Sequence, residues 1–176
     1  MTERIHFIIT GGTIDSKFSH STDTVVPRDK SIIPDILKMI GLSEKNAVYS
    51  QVCLKDSRNI TTEDRDYLFE LIQSSPELQF IVTHGTYTMV DTARYIEKRL
   101  KTKTPKKEAT VIFTGSMIPI EGFCPSDGTF NLGYAIAEIR HLPSGVYVCM
   151  NARTFTADKA LKDLSQGRFI SLLGEK

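Results

Sequence analysis

Leu78-Gln79-Phe80-Ile81-Val82-Thr83-His84-Gly85-Thr86-Tyr87-Thr88 begins as a short apolar run and breaks into glycine and hydroxyl residues. A run of that length, bounded by turn residues, is the pattern of a strand buried on both faces. Immediately downstream, Val90, Ala93, Ile96 and Leu100 recur at helical spacing and predict a helix. The chain therefore passes from strand to polar turn to helix within about two dozen residues, the building unit of a parallel sheet.

The unit recurs on both sides. Strands are predicted over Ile5 to Ile9, Ala47 to Leu54, Thr110 to Phe113 and Val146 to Met150. Between them, Ile32, Ile33, Ile36, Leu37 and Ile40 form one apolar stripe, ended by Gly41. Tyr67, Leu68, Leu71 and Ile72 form another, with Thr61 or Thr62 as cap and Glu63 and Asp64 in the first turn. Leu132, Ala135, Ile136 and Ile139 form a further helix face, and a last helix is expected over Ala157 to Leu164. The expected fold is α/β: a doubly wound, mainly parallel sheet flanked by helices, in a single domain over 1–176.

Composition narrows the function classes. A formal net charge of +1 gives no global field for nucleic acid or an anionic membrane. The basic run Lys98-Arg99-Leu100-Lys101, with Lys103, Lys106 and Lys107, reads as a solvated helix end. No stretch is long and apolar enough to span a bilayer, and Met1 to His6 lacks a secretory h-region. Cys53, Cys124 and Cys149 form no CxxC pair, and the four histidines show no metal-ligand spacing. A cytoplasmic protein with neither metal nor cofactor is expected.

Each strand runs into a segment of small polar residues: Thr10-Gly11-Gly12-Thr13, Lys55-Asp56-Ser57-Arg58-Asn59, Thr83 to Thr88, Thr114-Gly115-Ser116, and Asn151-Ala152-Arg153. In open parallel sheets ligands bind beyond the carboxyl ends of the strands, so five turns deliver hydroxyls and amides to one rim. That rim suits a small polar ligand. Neither a G-x-G-x-x-G nor a phosphate-loop motif occurs, which argues against a nucleotide. Thr13 and Thr86, each beside a glycine, are positioned to face one another. A hydroxyl becomes a nucleophile only when a base takes its proton, and Lys162 is a candidate if burial lowers its pKa.

Thr10-Gly11-Gly12-Thr13-Ile14 and His84-Gly85-Thr86-Tyr87-Thr88-Met89, the latter followed by Asp91-Thr92-Ala93, resemble the two signature motifs of the bacterial-type L-asparaginases. Thr114-Gly115-Ser116-Met117 with Pro119, Ser126-Asp127-Gly128 with Asn131-Leu132, and Gly145-Val146-Tyr147-Val148 with Met150-Asn151 resemble that family in the same order. The resemblance covers the family's amino-terminal, catalytic domain. It implies Thr13 as nucleophile, Thr86 as second catalytic threonine and Lys162 as its proton-relay partner. Ser57 would hold a substrate carboxylate, with Gly12, Arg58, Gly85, Tyr87 and Ser116 around the substrate. The implied partner is a small amide, cleaved to acid and ammonia, and the open rim favours a homodimer.

Two departures stand out. Tyr87 occupies the position where the family's motif carries aspartate, and a phenol is neutral at pH 7 and cannot pair with a substrate ammonium. The loop from Asp15 to Lys30 lacks the tyrosine that relatives use to activate the first threonine; Phe18 and His20 are the nearest aromatic residues. Asp15 and Asp23 either touch substrate or solvate the loop. Three expectations follow from the departures: a weak asparaginase, an enzyme for an amide bearing a carboxylate but no α-ammonium, or a small-molecule sensor that has lost turnover.

Overall fold

The computed structural model describes residues 4–42, 45–104, 107–122 and 124–173; Met1 to Glu3 and Lys106 of the basic run lie outside them. The central sheet has six strands: β1 (Ile5–Gly11), β4 (Ala47–Lys55), β5 (Gln79–Thr83), β6 (Thr110–Thr114), β7 (Gly145–Met150) and β8 (Arg153–Thr156). Their order across the sheet is β4-β1-β5-β6-β7-β8, parallel except for β8, which pairs antiparallel with β7 at the edge. Every residue of β1, β5 and β6 except Gln79 is buried. This follows from helices covering both faces, and it is why these strands read as unbroken apolar runs rather than alternating ones.

Helices α1 (Ile33–Met39) and α4 (Gly128–Glu138) cover one face, where Ile33, Leu37, Leu132 and Ala135 pack with Phe7, Ile9, Ile81 and Ile112. Helices α2 (Thr62–Ser74) and α3 (Met89–Thr102) cover the other, packing Leu68, Phe69, Ile72, Ala93 and Ile96 on Ile8, Phe80, Val82, Val111 and Phe113. Of the two candidate caps Thr61 is the one used, in a reciprocal capping box with Asp64. Tyr67 lies outside the buried stripe of α2 and Phe69 takes its place. The basic run is accounted for by helix ends: Arg99 lies over Phe69 and pairs with Asp66, and Lys107 donates to the carbonyls of Ile72 and Ser75.

The helix expected over Ala157 to Leu164 is absent. The segment forms β9 (Ala160–Asp163), paired antiparallel with β10 (Arg168–Ser171) so that Lys162 stands opposite Phe169. Gly167, at φ +60, supplies the left-handed residue that closes the hairpin turn. Ala157, Ala160, Leu161 and Leu164 are spaced like a helical stripe, yet Leu161 and Leu164 are exposed while Phe169 is fully buried. The hydrophobic anchor of the segment therefore lies on the partner strand. The 15–30 loop is likewise ordered as a hairpin of β2 (Ser16–Ser19) and β3 (Thr24–Pro27).

Asp15 belongs neither to a solvated loop nor to the ligand rim. It is buried, and its carboxylate accepts from the Ser31 hydroxyl at 2.9 Å and the Ile32 amide at 2.8 Å, fastening the entry of α1.

Candidate active site

The order of the sheet reverses at β1: the chain leaves it for β4 on one side and returns to β5 on the other. A crevice opens at such a reversal, between the turns that follow the two strands. Here it is closed at its floor by two glycines. Gly12 sits at φ +85, and a Cβ built on it would lie 2.3 Å from the Cα of Gly85. A Cβ on Gly85 would in turn lie 2.7 Å from the Cβ and Oγ of Ser57. Only glycine lets the ends of β1, β4 and β5 meet this closely. Thr13, Ser57 and Thr86 converge as a result.

Several rim hydroxyls hold the scaffold. Thr10 Oγ1 donates to the Thr83 carbonyl at 2.8 Å, and Thr114 Oγ1 to the Cys149 carbonyl at 2.9 Å. Thr88 Oγ1 donates to the Ser57 carbonyl at 2.7 Å, while the Thr88 amide donates to Ser57 Oγ at 3.3 Å. Ser57 is thereby oriented with its own proton left for a ligand. His84 is fully buried and donates from Nδ1 to the Gly85 carbonyl at 2.8 Å, fixing the peptide that precedes Thr86. Burial pushes its pKa down to about 4, so the ring is neutral.

Lys162 Nζ donates to Thr86 Oγ1 at 2.7 Å. Burial lowers the lysine pKa from its ordinary value, because desolvation penalises the ammonium form. The strand that delivers it is anchored from α3. Arg94 Nε donates to the Ala157 carbonyl at 3.1 Å, and its Nη2 to the carbonyls of Asp158 at 3.3 Å and Ala160 at 3.0 Å. Nothing in the sequence pattern marks Arg94. Its role becomes visible only once the carbonyls it grips, some 63 to 66 positions away, are in place.

These groups surround a cavity of about 250 Å³. Thr13, Ser57, Thr86 and Lys162 line it together with Gly12, Gly85, Arg58 and Tyr87, so eight of the nine predicted residues come together. Ser116 does not line it; its hydroxyl is fully buried elsewhere. Asp56 completes the lining, a residue that the sequence pattern does not single out. Arg58 forks onto it, Nε to Oδ1 at 3.0 Å and Nη2 to Oδ2 at 2.8 Å, and those bonds hold the Asp56 carboxyl below the usual carboxylate range. The same guanidinium lies 5.7 Å from the centroid of the Tyr87 ring. With Asp56 neutralised by Arg58, the cavity presents no unpaired carboxylate to a cationic ligand. Phe18 and His20 stand edge to face, 5.3 Å between centroids, and are not among the residues that line this cavity. Among the described residues no group of histidine, cysteine and carboxylate side chains could hold a metal ion, and no helix is long and apolar enough to cross a membrane.

The chain has relatives in sequence and in fold. The chain is 30% identical over 153 residues to L-asparaginase 2-3 of Saccharomyces cerevisiae, covering 82% of this chain and 41% of that protein. It is 26% identical over 174 residues to the glutaminase-asparaginase of Acinetobacter glutaminasificans, covering 90% and 49%. In three dimensions it resembles L-asparaginase I from Vibrio cholerae with a TM-score of 0.77 and 25% identity, over 97% of this chain and 52% of that one. The chain thus spans about half the length of these relatives, or less. A sequence profile described as "Asparaginase, N-terminal" matches residues 4–168. With the match running from β1 through β9, the strand that carries Lys162, the chain belongs to the asparaginase family.

Proposed function

We propose that the cavity hydrolyses the terminal amide of a small carboxylic acid, with L-asparagine as the first substrate to test. The observation that carries this reading is the 2.7 Å contact from Lys162 to Thr86 in a cavity that Thr13 also lines. Burial disfavours the Lys162 ammonium, and in its neutral form the amine can take the proton of Thr86, which can pass the demand to an attacking hydroxyl or water. Thr13 Oγ then adds to the amide carbon, and the oxyanion faces backbone N–H groups of the glycine turns. Collapse breaks the C–N bond and releases ammonia; water cleaves the resulting ester and returns the proton to Thr13. Ser57, whose hydroxyl is already oriented by Thr88, binds the substrate carboxylate. The free thiols of Cys53, Cys124 and Cys149 fit a cytoplasmic setting.

A second reading of the substrate is favoured by the pairing of Arg58 with Asp56 and by Tyr87 in place of a carboxylate. Both leave an α-ammonium without a countercharge, so an amide such as succinamate is the better electrostatic match. Coupled ammonia release from L-asparagine, L-glutamine and succinamate tests the two. Thr13→Ala should abolish turnover; if it leaves ammonia release intact, the acyl-transfer reading fails. A protein that binds these amides with no turnover at all would instead be a sensor.

A further inference from the structure

A second recess, about 340 Å³, adjoins the first. The two share Gly12, Thr13, Asp56 and Arg58 as a common wall. Beyond that wall they diverge in chemistry. Ser57, Thr86 and Lys162 line only the first; Val25, Pro27, Met117 and Pro119, with Ser16 and Thr24, line only the second. We propose that this second recess is a leaving-group subsite, which admits amides whose nitrogen carries an apolar substituent. The inference rests on Thr13 being the residue acylated.

Size and lining both point that way. If the acyl part lies toward Ser57 with its carbonyl at Thr13, the departing nitrogen faces away from Ser57, toward the β2–β3 hairpin. Ammonia, close to water in size, needs only about 30 Å³ there. The recess is about ten times larger, and Val25, Pro27, Met117 and Pro119 give it an apolar side, facing a polar one formed by Thr13, Ser16, Thr24, Asp56 and Arg58, the mixed lining of sites that hold organic groups. The Ser16 hydroxyl on its border spends its proton on the Gly12 carbonyl at 2.9 Å, so it has no donor left for a ligand.

The walls are also built rather than loose. The hairpin pairs over four residue pairs, bridges Lys17 to Glu121, and is tied by the Arg28–Glu121 ion pair. On the opposite side Asp127 accepts from the amides of Met117 and Ile118 at 3.0 Å. The space therefore exists before any ligand arrives. Chemically the step is the same acyl transfer: the Thr13 Oγ–C bond forms and the C–N bond breaks. The amine departs with the proton that leaves Thr13, and water splits the ester to acid.

The test uses the full chain with L-asparagine, succinamate and the N-benzyl derivative of each amide, following release of ammonia or benzylamine. Val25→Trp, at an exposed hairpin position, fills the recess. The expected result is kcat/KM for an N-benzyl amide within tenfold of its parent or above it, with Val25→Trp lowering that ratio at least tenfold. Cleavage of the parent with the N-benzyl amide more than tenfold slower overturns the subsite alone, as does a ratio moved less than tenfold by Val25→Trp. If none of the four amides is cleaved, the acyl-transfer reading falls and the subsite with it.

Discussion

Gly12 and Gly85 touch backbone to backbone: the space where a side chain on the first would begin lies 2.3 Å from the Cα of the second. Alanine at Gly12 must therefore push the turns after β1 and β5 apart, and it must also hold a left-handed φ of +85. Gly12→Ala is expected to destabilise the fold by about 2–4 kcal/mol. Amide hydrolysis should fall at least a hundredfold, because Thr13 and Thr86 no longer converge. Urea denaturation and the ammonia assay read the two effects separately; an active, fully stable variant would show that the contact is dispensable.

Lys162 gives a pH signature. Burial lowers its pKa below the ordinary value of 10.5, so the reactive neutral amine accumulates as pH rises and kcat/KM should climb along a limb centred below 10.5. The folded state bears the cost of a desolvated ammonium below that lowered pKa, and the cost disappears as pH approaches 10.5. Lys162→Met should thus be inactive yet at least as stable as the parent at pH 7, with any advantage fading in alkali. A variant that keeps the alkaline limb would remove the lysine from the relay.

Arg94 acts through the strand it grips. Arg94→Met leaves the carbonyls of Ala157, Asp158 and Ala160 without their donor and frees β9 to shift. The loss is expected to be about 1.5–3 kcal/mol. A merely structural role would stop there. A positioning role lowers kcat tenfold or more at similar KM and moves the alkaline limb up toward the ordinary lysine value, with partial rescue by Arg94→Lys.

Tyr87 controls the charge that the cavity offers. Its side chain is 60% exposed, so Tyr87→Asp should fold normally. The new carboxylate supplies a partner for an α-ammonium, and the preference for L-asparagine over succinamate, measured as a ratio of kcat/KM, should rise at least tenfold. An unchanged ratio would mean that Tyr87 does not face the α-carbon of the substrate.

His84 predicts an acid weakness. Its folded pKa is pushed down to about 4 from 6.5, so between those values the unfolded chain binds a proton that the folded chain does not. Stability should fall as pH drops through that window, by on the order of 3 kcal/mol from this group, and level off below it. His84→Asn keeps a donor for the Gly85 carbonyl without the titration, and its urea midpoint should fall less steeply from pH 7 to 4.

Much of the architecture was legible because parallel strands buried on both faces leave continuous apolar runs, as in Phe80 to Val82 and Val111 to Phe113. The glycine-and-hydroxyl turns after those runs marked the rim, and eight of nine expected residues line one cavity. What escaped depends on distant partners. Lys162 lies on a hairpin strand rather than a helix because Phe169, eight positions from Leu161, holds the segment to the core. Asp56 has the composition of a turn residue, and its fork with Arg58 exists only in the folded turn; the buried Asp15 likewise finds its donors in Ser31 and Ile32. Ser116 follows a strand like the others, yet its side chain turns inward.

Helix α3 starts three residues after Thr86 and, within its second turn, presents the guanidinium that grips the carbonyls ahead of Lys162. Donor and acceptor of the 2.7 Å contact are thus both tied to one helix, Lys162 through Arg94 and Thr86 through the short turn that leads into it. A displacement of α3 is therefore expected to carry both along like two teeth of a single gear, leaving their spacing less changed than it would be for groups with no shared support.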